Sequence, residues 1–250
     1  QDIKTALEPI WHEKADTARK AKNRLNITLE HAAAMGLNVD LQAIMKAKAL
    51  LGKSRHKAKN IPYMPWPEVP AFYKSLAEQT PTHLALRLLI LTTVRSYGIR
   101  FCHLDQIEGD VWTVPEDHMK GQVGAVTDFR VPLSKEALAL IELAKPLARD
   151  GYLFPGARKG VISDAAMSRH MERQGLEARP HGFRSSFKTW CEETTDVPEV
   201  VVETSLAHVD GNKVKRSYRR TDLLERRRPL MARWADHVTG KNASEVMKIA

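Results

Sequence analysis

Pro180-His181-Gly182-Phe183-Arg184-Ser185 is the stretch on which the reading of this chain turns. His181 and Arg184 stand three apart, so on a helix they share a face and can meet one ligand. Downstream, Leu206-Ala207-His208 is followed ten positions on by Tyr218, set in Arg216-Ser217-Tyr218-Arg219-Arg220. Upstream, Thr92-Thr93-Val94-Arg95 puts a cation at the end of an apolar helix. Between these lies Lys120, in a polar turn carrying Gly121 and Gly124 and flanked by two alternating stretches. Val111-Trp112-Thr113-Val114 and Phe129-Arg130-Val131-Pro132-Leu133 read as the strands of a β-hairpin with Lys120 at its tip.

Each of these residues has an ordinary explanation when taken alone. Arg95 could be an ion-pair partner, Lys120 a solvated loop tip, and His208 a hydrogen-bonded core histidine. Lys135 is a second lysine near the hairpin, but it falls after the second strand. Tyr218 competes with Tyr73, Tyr97 and Tyr152. It is preferred because it closely follows His208 and has Lys213, Lys215, Arg216, Arg219 and Arg220 around it, a setting that suits a phosphate and a lowered phenol pKa.

The remaining chain is organised around that cluster. Helices are expected over 3–11, 16–35 and 40–52, the second with a stripe of Ala18, Ala21, Leu25, Leu29 and Ala32. Arg19, Lys20, Lys22 and Arg24 lie mostly off the stripe. Lys53-Ser-Arg-His-Lys-Ala-Lys59 follows, then Pro62, Pro65, Pro67 and Pro70, which together read as a basic, extended linker able to follow a phosphate backbone. Further helices are expected over 67–79, 82–94, 134–148, 164–175, 182–193, 197–206 and 222–238, with Ser134 and Asp164 as N-caps. Arg226-Arg227-Arg228 reads as a solvated helix face.

Composition narrows the class. The 250 residues carry 39 Lys/Arg against 30 Asp/Glu, a net charge of +9. Residues 1–60 hold twelve basic against six acidic side chains, so most of the excess lies in the first quarter. Such a basic face concentrates polyanions, chiefly nucleic acid. With 43% apolar residues the chain can form a proper core, yet no apolar run is long enough to cross a bilayer. No secretory leader is visible, and the chain opens at Gln1 without an initiator Met, as a fragment does. Cys102 and Cys191 cannot make a disulfide framework and read as small core residues in a reducing cytoplasm. Despite ten His, no His-x-x-x-His or Cys-x-x-Cys spacing suggests a metal.

The order Arg95, Lys120, His181-x-x-Arg184, Leu206-x-His208, Tyr218 resembles the catalytic signature of tyrosine recombinases. His181-Gly182-Phe183-Arg184, with the tail Tyr218-Arg219-Arg220…Glu225-Arg226-Arg227-Arg228…Trp234-Ala235-Asp236, is similar to integrases of the phage P4 type. The likeness implies a mainly α fold with a small antiparallel β-sheet. It divides the chain into a helical core-binding domain at 1–60, a linker at 61–65 and a DNA breaking-rejoining catalytic domain at 66–250. The two would clamp DNA, and the usual amino-terminal arm-binding domain is expected to be absent from this chain.

That resemblance implies a site-specific recombinase that integrates or excises a mobile element through a 3′-phosphotyrosyl intermediate, without a metal or other cofactor. A phosphodiester repels nucleophiles, so two guanidiniums, Arg95 and Arg184, are suited to hold its non-bridging oxygens and the transition state's extra charge. By resemblance His181 assists with the phenol proton, His208 hydrogen-bonds the phosphate, and Lys120 protonates the departing 5′ oxygen. Arg19, Lys20, Lys22, Arg24, Lys53, Arg55, Lys57 and Lys59 are the candidate DNA-backbone contacts. The implied partners are double-stranded attachment sites in the bacterial nucleoid, four protomers on DNA, and DNA-bending or directionality factors.

One departure stands out: related sequences commonly have Glu three residues after the first Arg, where this chain has Gly98. It leaves open a catalytically weak or inactive DNA-binding regulator derived from an integrase. A type IB topoisomerase and a metal-dependent nuclease are the remaining alternatives.

Overall fold

The computed structural model describes residues 1–55, 61–119, 127–208 and 221–241. The chain divides into two compact units, Gln1–Asn60 and Ile61–Ala250. In the first, α1 (Asp2–Trp11), α2 (Ala15–Ala34) and α3 (Ala43–Leu51) pack on one another. Leu7, Trp11 and Ala18 form a small core edged by Ile3, Ile10, Ala21 and Leu51. The Trp11 indole Nε1 donates to the Gly52 carbonyl at 3.0 Å, and Ser54 Oγ donates to the Trp11 carbonyl at 3.1 Å. These bonds tie the start of the basic segment to α1. The expected stripe on α2 is only partly realised. Ala18 is buried, but Leu25 is 37% exposed, because this unit's core reaches along α2 only as far as Ala21.

The second unit is built around α5 (Pro81–Thr92), which is buried almost all round. A helix apolar on every side needs neighbours on every side. Here α7 (Lys135–Ala144), α8 (Ala166–Arg173) and α11 (Leu224–Thr239) surround it. Thr80 caps its start, accepting from the His83 N–H, with Pro81 in the first turn where its missing donor costs nothing. Trp234 of α11 is fully buried and donates from Nε1 to the Ile90 carbonyl at 2.8 Å, pinning the last helix to the central one. Among the described residues, helices α4 (Val69–Ser75), α6 (Ser96–Arg100), α9 (Phe183–Thr194) and α10 (Glu199–Ser205) add to the helical part.

The sheet has three antiparallel strands in the order β1 (Ile107–Glu108), β2 (Val111–Val114) and β3 (Phe129–Pro132). Trp112 faces Val131 and Val114 faces Phe129, so the apolar alternation lands on the core side. The hairpin expected from the sequence is therefore present, extended by β1, which is too short to read from alternation. Its connection, residues 120–126, lies outside the described residues. The architecture is the one expected from the sequence, mainly helical with one small antiparallel sheet.

Several local expectations change. Ser134 does cap α7, accepting from the Ala137 N–H at 3.2 Å, but Asp164 caps nothing: α8 starts two residues later, after Ala165. Residues 61–65, expected as a linker, are held within the second unit. The Pro62 carbonyl accepts from the Arg179 N–H at 3.2 Å, the Met64 carbonyl accepts from Ser186 Oγ, and Met64 itself is buried. Arg227 is not on a solvated face. It is fully buried over the Phe129 ring, at 4.6 Å from the centroid, while Arg226 next to it is exposed. Cys102 and Cys191 are buried, as expected. Among the described residues no helix is long and apolar enough to cross a membrane.

Candidate active site

The site begins with a turn that only glycine permits. Pro180–Gly182 forms a short 3-10 turn running into α9. A Cβ on Gly182 would lie 2.4 Å from the Pro62 carbonyl oxygen and 2.8 Å from Tyr63 Cα. The chain passing over at 62–64 therefore requires glycine between His181 and Phe183. Phe183 and Phe187 then bury the inner face of α9, and Arg184 goes in with them at 5% exposure.

A guanidinium at that depth needs acceptors, and two helix ends supply them. Helix α5 stops at Thr93, which is left-handed with φ 56°, and its N–H closes the last turn on Leu89 at 2.8 Å. The Thr93 carbonyl then accepts from Arg184 Nη1 at 2.6 Å. Helix α10 stops in a Schellman turn around Ala207, left-handed with φ 48°. The Ala207 N–H donates to Thr204 at 2.9 Å and the His208 N–H to Glu203 at 3.0 Å. The Leu206 carbonyl accepts from Arg184 Nη2. Both acceptors are neutral, and among the described residues no carboxylate pairs directly with Arg184.

Arg95 stands two residues past the Thr93 turn, as the N-cap of α6. Its carbonyl accepts from the Ile99 N–H at 3.1 Å, while its half-buried side chain has no hydrogen-bond or ion-pair partner among the described residues. Arg95 and Arg184 line one small cleft with Gly98, His118, Met119 and Ala207. Burial, then the charge of Arg95, pushes the Arg184 pKa down to about 9, with Glu203 pulling partly the other way. Burial alone lowers Arg95. Both side chains stay charged at neutral pH, so the cleft brings two like charges together.

His208 is the last described residue before 209–220. Its Nδ1 lies 2.6 Å from Glu203 Oε2, and Lys188 Nζ lies 2.7 Å from Glu203 Oε1. Burial raises the Glu203 carboxyl, but the bonds from Lys188 and His208 outweigh this and hold it below the usual range. An ionised carboxylate only accepts, so the shared proton sits on His208 Nδ1. His181 is exposed at the head of α9.

Lys120 and Tyr218 lie outside the described residues, as do Lys57 and Lys59. Their flanks are defined. His118 and Met119, just before Lys120, line the cleft. Past Tyr218, Asp222 is held by Arg130 of β3 through two bonds, 2.9 and 2.8 Å, next to Phe129, which also lines the cleft. Lys135 is exposed in the first turn of α7 and is not part of the cleft lining.

Of the expected backbone contacts in the first unit, Arg19, Lys20, Arg24, Lys53 and Arg55 are exposed and Lys22 is half-buried. Arg19 and Lys20 both pair with Asp16 at 2.7 Å, which pulls that carboxyl down to about 2. Arg19, Lys22 and Lys53 line a groove of about 1200 Å³ within this unit, with Trp11 at its floor. Lys48 lines it too; the sequence gives it little signal, because it lies on a short, mostly apolar helix away from the basic runs. Glu203 was missed as well. Its only signal is that it lies five residues before His208, where a Schellman turn folds the chain back.

A buried and a half-buried guanidinium thus converge on one cleft whose described lining carries no carboxylate. No family model matches the chain. Relatives do. The chain is 29% identical over 253 residues to the prophage integrase IntA of Escherichia coli K12, and 30% identical over 253 residues to its prophage integrase IntZ. It is 28% identical over 246 residues to the integrase of enterobacteria phage P4. The alignments cover 97%, 95% and 90% of this chain but 59%, 59% and 55% of those proteins, so the chain spans under two thirds of their length. Among solved structures, a lambda integrase dimer bound to a COC′ core site matches with TM-score 0.60 at 18% identity, over 88% of this chain and 78% of that one. The integrase of mycobacterium phage Brujita matches with TM-score 0.53 at 20% identity, over 88% and 72%. The similarity to P4-type integrases holds along nearly the whole chain.

Proposed function

We propose that this chain is the DNA-cutting part of a site-specific tyrosine recombinase that integrates or excises a mobile element. The observation that supports this best is the cleft that Arg95 and Arg184 both line, with no carboxylate among its described lining residues. Cations held together against their own repulsion are arranged for an anion, and a phosphodiester has two non-bridging oxygens to share.

The proposed reaction follows from that grip. The Tyr218 oxygen attacks phosphorus in line, its proton passing to His181. The bond from phosphorus to the 5′ oxygen breaks, and Lys120 protonates that oxygen. A 3′-phosphotyrosyl link and a free 5′ hydroxyl remain. A 5′ hydroxyl from another strand reverses the step, so no outside energy source is needed. Forming a free phenolate at pH 7 costs roughly 4 kcal/mol from a pKa near 10, and the neighbouring cations reduce that cost. His208 donates to the phosphate. The groove cations Arg19, Lys22, Lys48 and Lys53 hold the duplex backbone, with Lys20, Arg24, Arg55, Lys57 and Lys59 beside them.

The partners we infer are double-stranded attachment sites in the nucleoid and three further copies of the chain. The lambda integrase structures, a dimer on a core site and a tetramer on a Holliday junction, support that assembly by their shared fold. DNA-bending or directionality factors complete the proposal.

A nicked suicide duplex, which loses a short strand after cleavage, tests the reading. The wild-type chain should form a DNA adduct stable in denaturant, with or without EDTA, and Tyr218→Phe should bind the duplex but form none. A chain that binds and never forms the adduct is a regulator, and one that needs a metal is a nuclease.

A further inference from the structure

The acid expected beside Arg95 is missing, and the structure gives a reason it cannot simply be restored. Gly98 lines the cleft, and a Cβ there would lie 2.9 Å from Val94 Cγ1 and 3.3 Å from Val114 Cγ1. A side chain at that position has to displace a buried valine first.

Another carboxylate lies on the helix whose end holds Arg184. Glu203 is on the last turn of α10, four residues before Ala207. The Schellman turn folds His208 back under it, so the backbone N–H of His208 meets the Glu203 carbonyl while the ring Nδ1 meets its carboxylate at 2.6 Å. Glu203 is also the acid whose charge acts on Arg184. Lys188, one turn after Arg184 on α9, occupies its other oxygen at 2.7 Å. With Nδ1 committed to Glu203, Nε2 is the ring nitrogen left for a ligand, and the ring cannot rotate about its stem without breaking a charge-assisted bond.

We propose that Glu203 is the positioning residue of this site: it fixes the ring of His208 so that Nε2 meets the scissile phosphate, and it takes over the acidic support lost at Gly98. Glu203 does not touch DNA and acts through His208. The inference rests on the recombinase reading given above.

The test is a double-mutant cycle on the nicked suicide duplex at saturating DNA, read as the rate of adduct formation. Glu203→Gln keeps the size and removes the charge. It should slow the adduct roughly ten- to hundredfold, as losing the partner of an oriented histidine does, with DNA affinity within threefold of wild type. On a His208→Ala background the same change should have almost no further effect. Lys188→Met, which removes the other partner of Glu203, should stay within threefold of wild type; this separates a ring holder from a mere brace between α9 and α10. The proposal is overturned if Glu203→Gln cleaves at the wild-type rate, if its effect is undiminished without His208, or if Lys188→Met is equally slow. A wild-type chain that forms no adduct instead sinks the recombinase reading, a result distinct from all of these.

Discussion

Arg95 decides between two accounts of the same residue. An arginine kept for structure has a carboxylate partner, and its removal destabilises the fold. Arg95 has no such partner among the described residues, and its charge adds to the burial that depresses Arg184. Arg95→Gln should therefore raise the free energy of unfolding by about 0.5–1 kcal/mol, the common outcome when a strained site is relaxed. It should also slow adduct formation at least about a hundredfold, as loss of one preorganised donor does. Chemical denaturation of the free protein checks the first part. A loss of stability would return Arg95 to an ordinary structural role. At this scale the sequence was partly legible. Arg95 and Arg184, which line one cleft, could be singled out as candidates because their order along the chain repeats a known one. Glu203 could not, since its role depends on a backbone turn that brings positions 203 and 208 together. Gly182 and Gly98 look alike as letters, yet one lies under a crossing chain and the other against Val94 and Val114.

Two helix ends carry the site, and both stop in the left-handed region on residues that have a Cβ. Thr93 and Ala207 adopt φ of 56° and 48°, at a cost of about 1–2 kcal/mol each against the usual glycine. Ala207→Gly should relieve the strain without moving the Leu206 carbonyl that holds Arg184. The expected gain is about 1 kcal/mol, or roughly 2–4 °C in Tm for a chain of this size. A calorimetric scan checks it, and an unchanged or lower Tm would mean the turn is supported some other way. The long helices were legible because an apolar face repeats over several turns, as in α9 and α11. Helix α6 was not: five residues, Ser96–Arg100, with glycine in the middle, are too few for a period to show. Strand β1 has only two residues. The end of α5 was placed too late, since the apolar run continues through Val94 after the helix has already turned at Thr93. Arg227 was misread because three consecutive arginines look solvated, whereas on a helix one of the three faces inward.

For the molecule as a whole, charge is the property that reaches furthest. The net of +9 is concentrated in the first unit, where Arg19, Lys22, Lys48 and Lys53 line one groove. If these four and the two site arginines each neutralise a phosphate, the logarithm of the binding constant should fall with the logarithm of salt at a slope of about −5. Lys48→Ala should reduce that slope by about 1 and weaken specific and random duplexes alike. Fluorescence anisotropy across a salt series measures both. A slope near zero, or a loss confined to the specific site, would take Lys48 out of the backbone contacts.

The most direct test of the central claim, that the cleft of Arg95 and Arg184 presents a phosphate to Tyr218, is to digest the trapped protein–DNA adduct and identify the modified peptide by mass spectrometry. The expected result is one nucleotide-bearing peptide with the phosphate on Tyr218. Finding it on Tyr73, Tyr97, Tyr152 or a serine, or recovering no modified peptide from a chain that has cut its substrate, would contradict that claim.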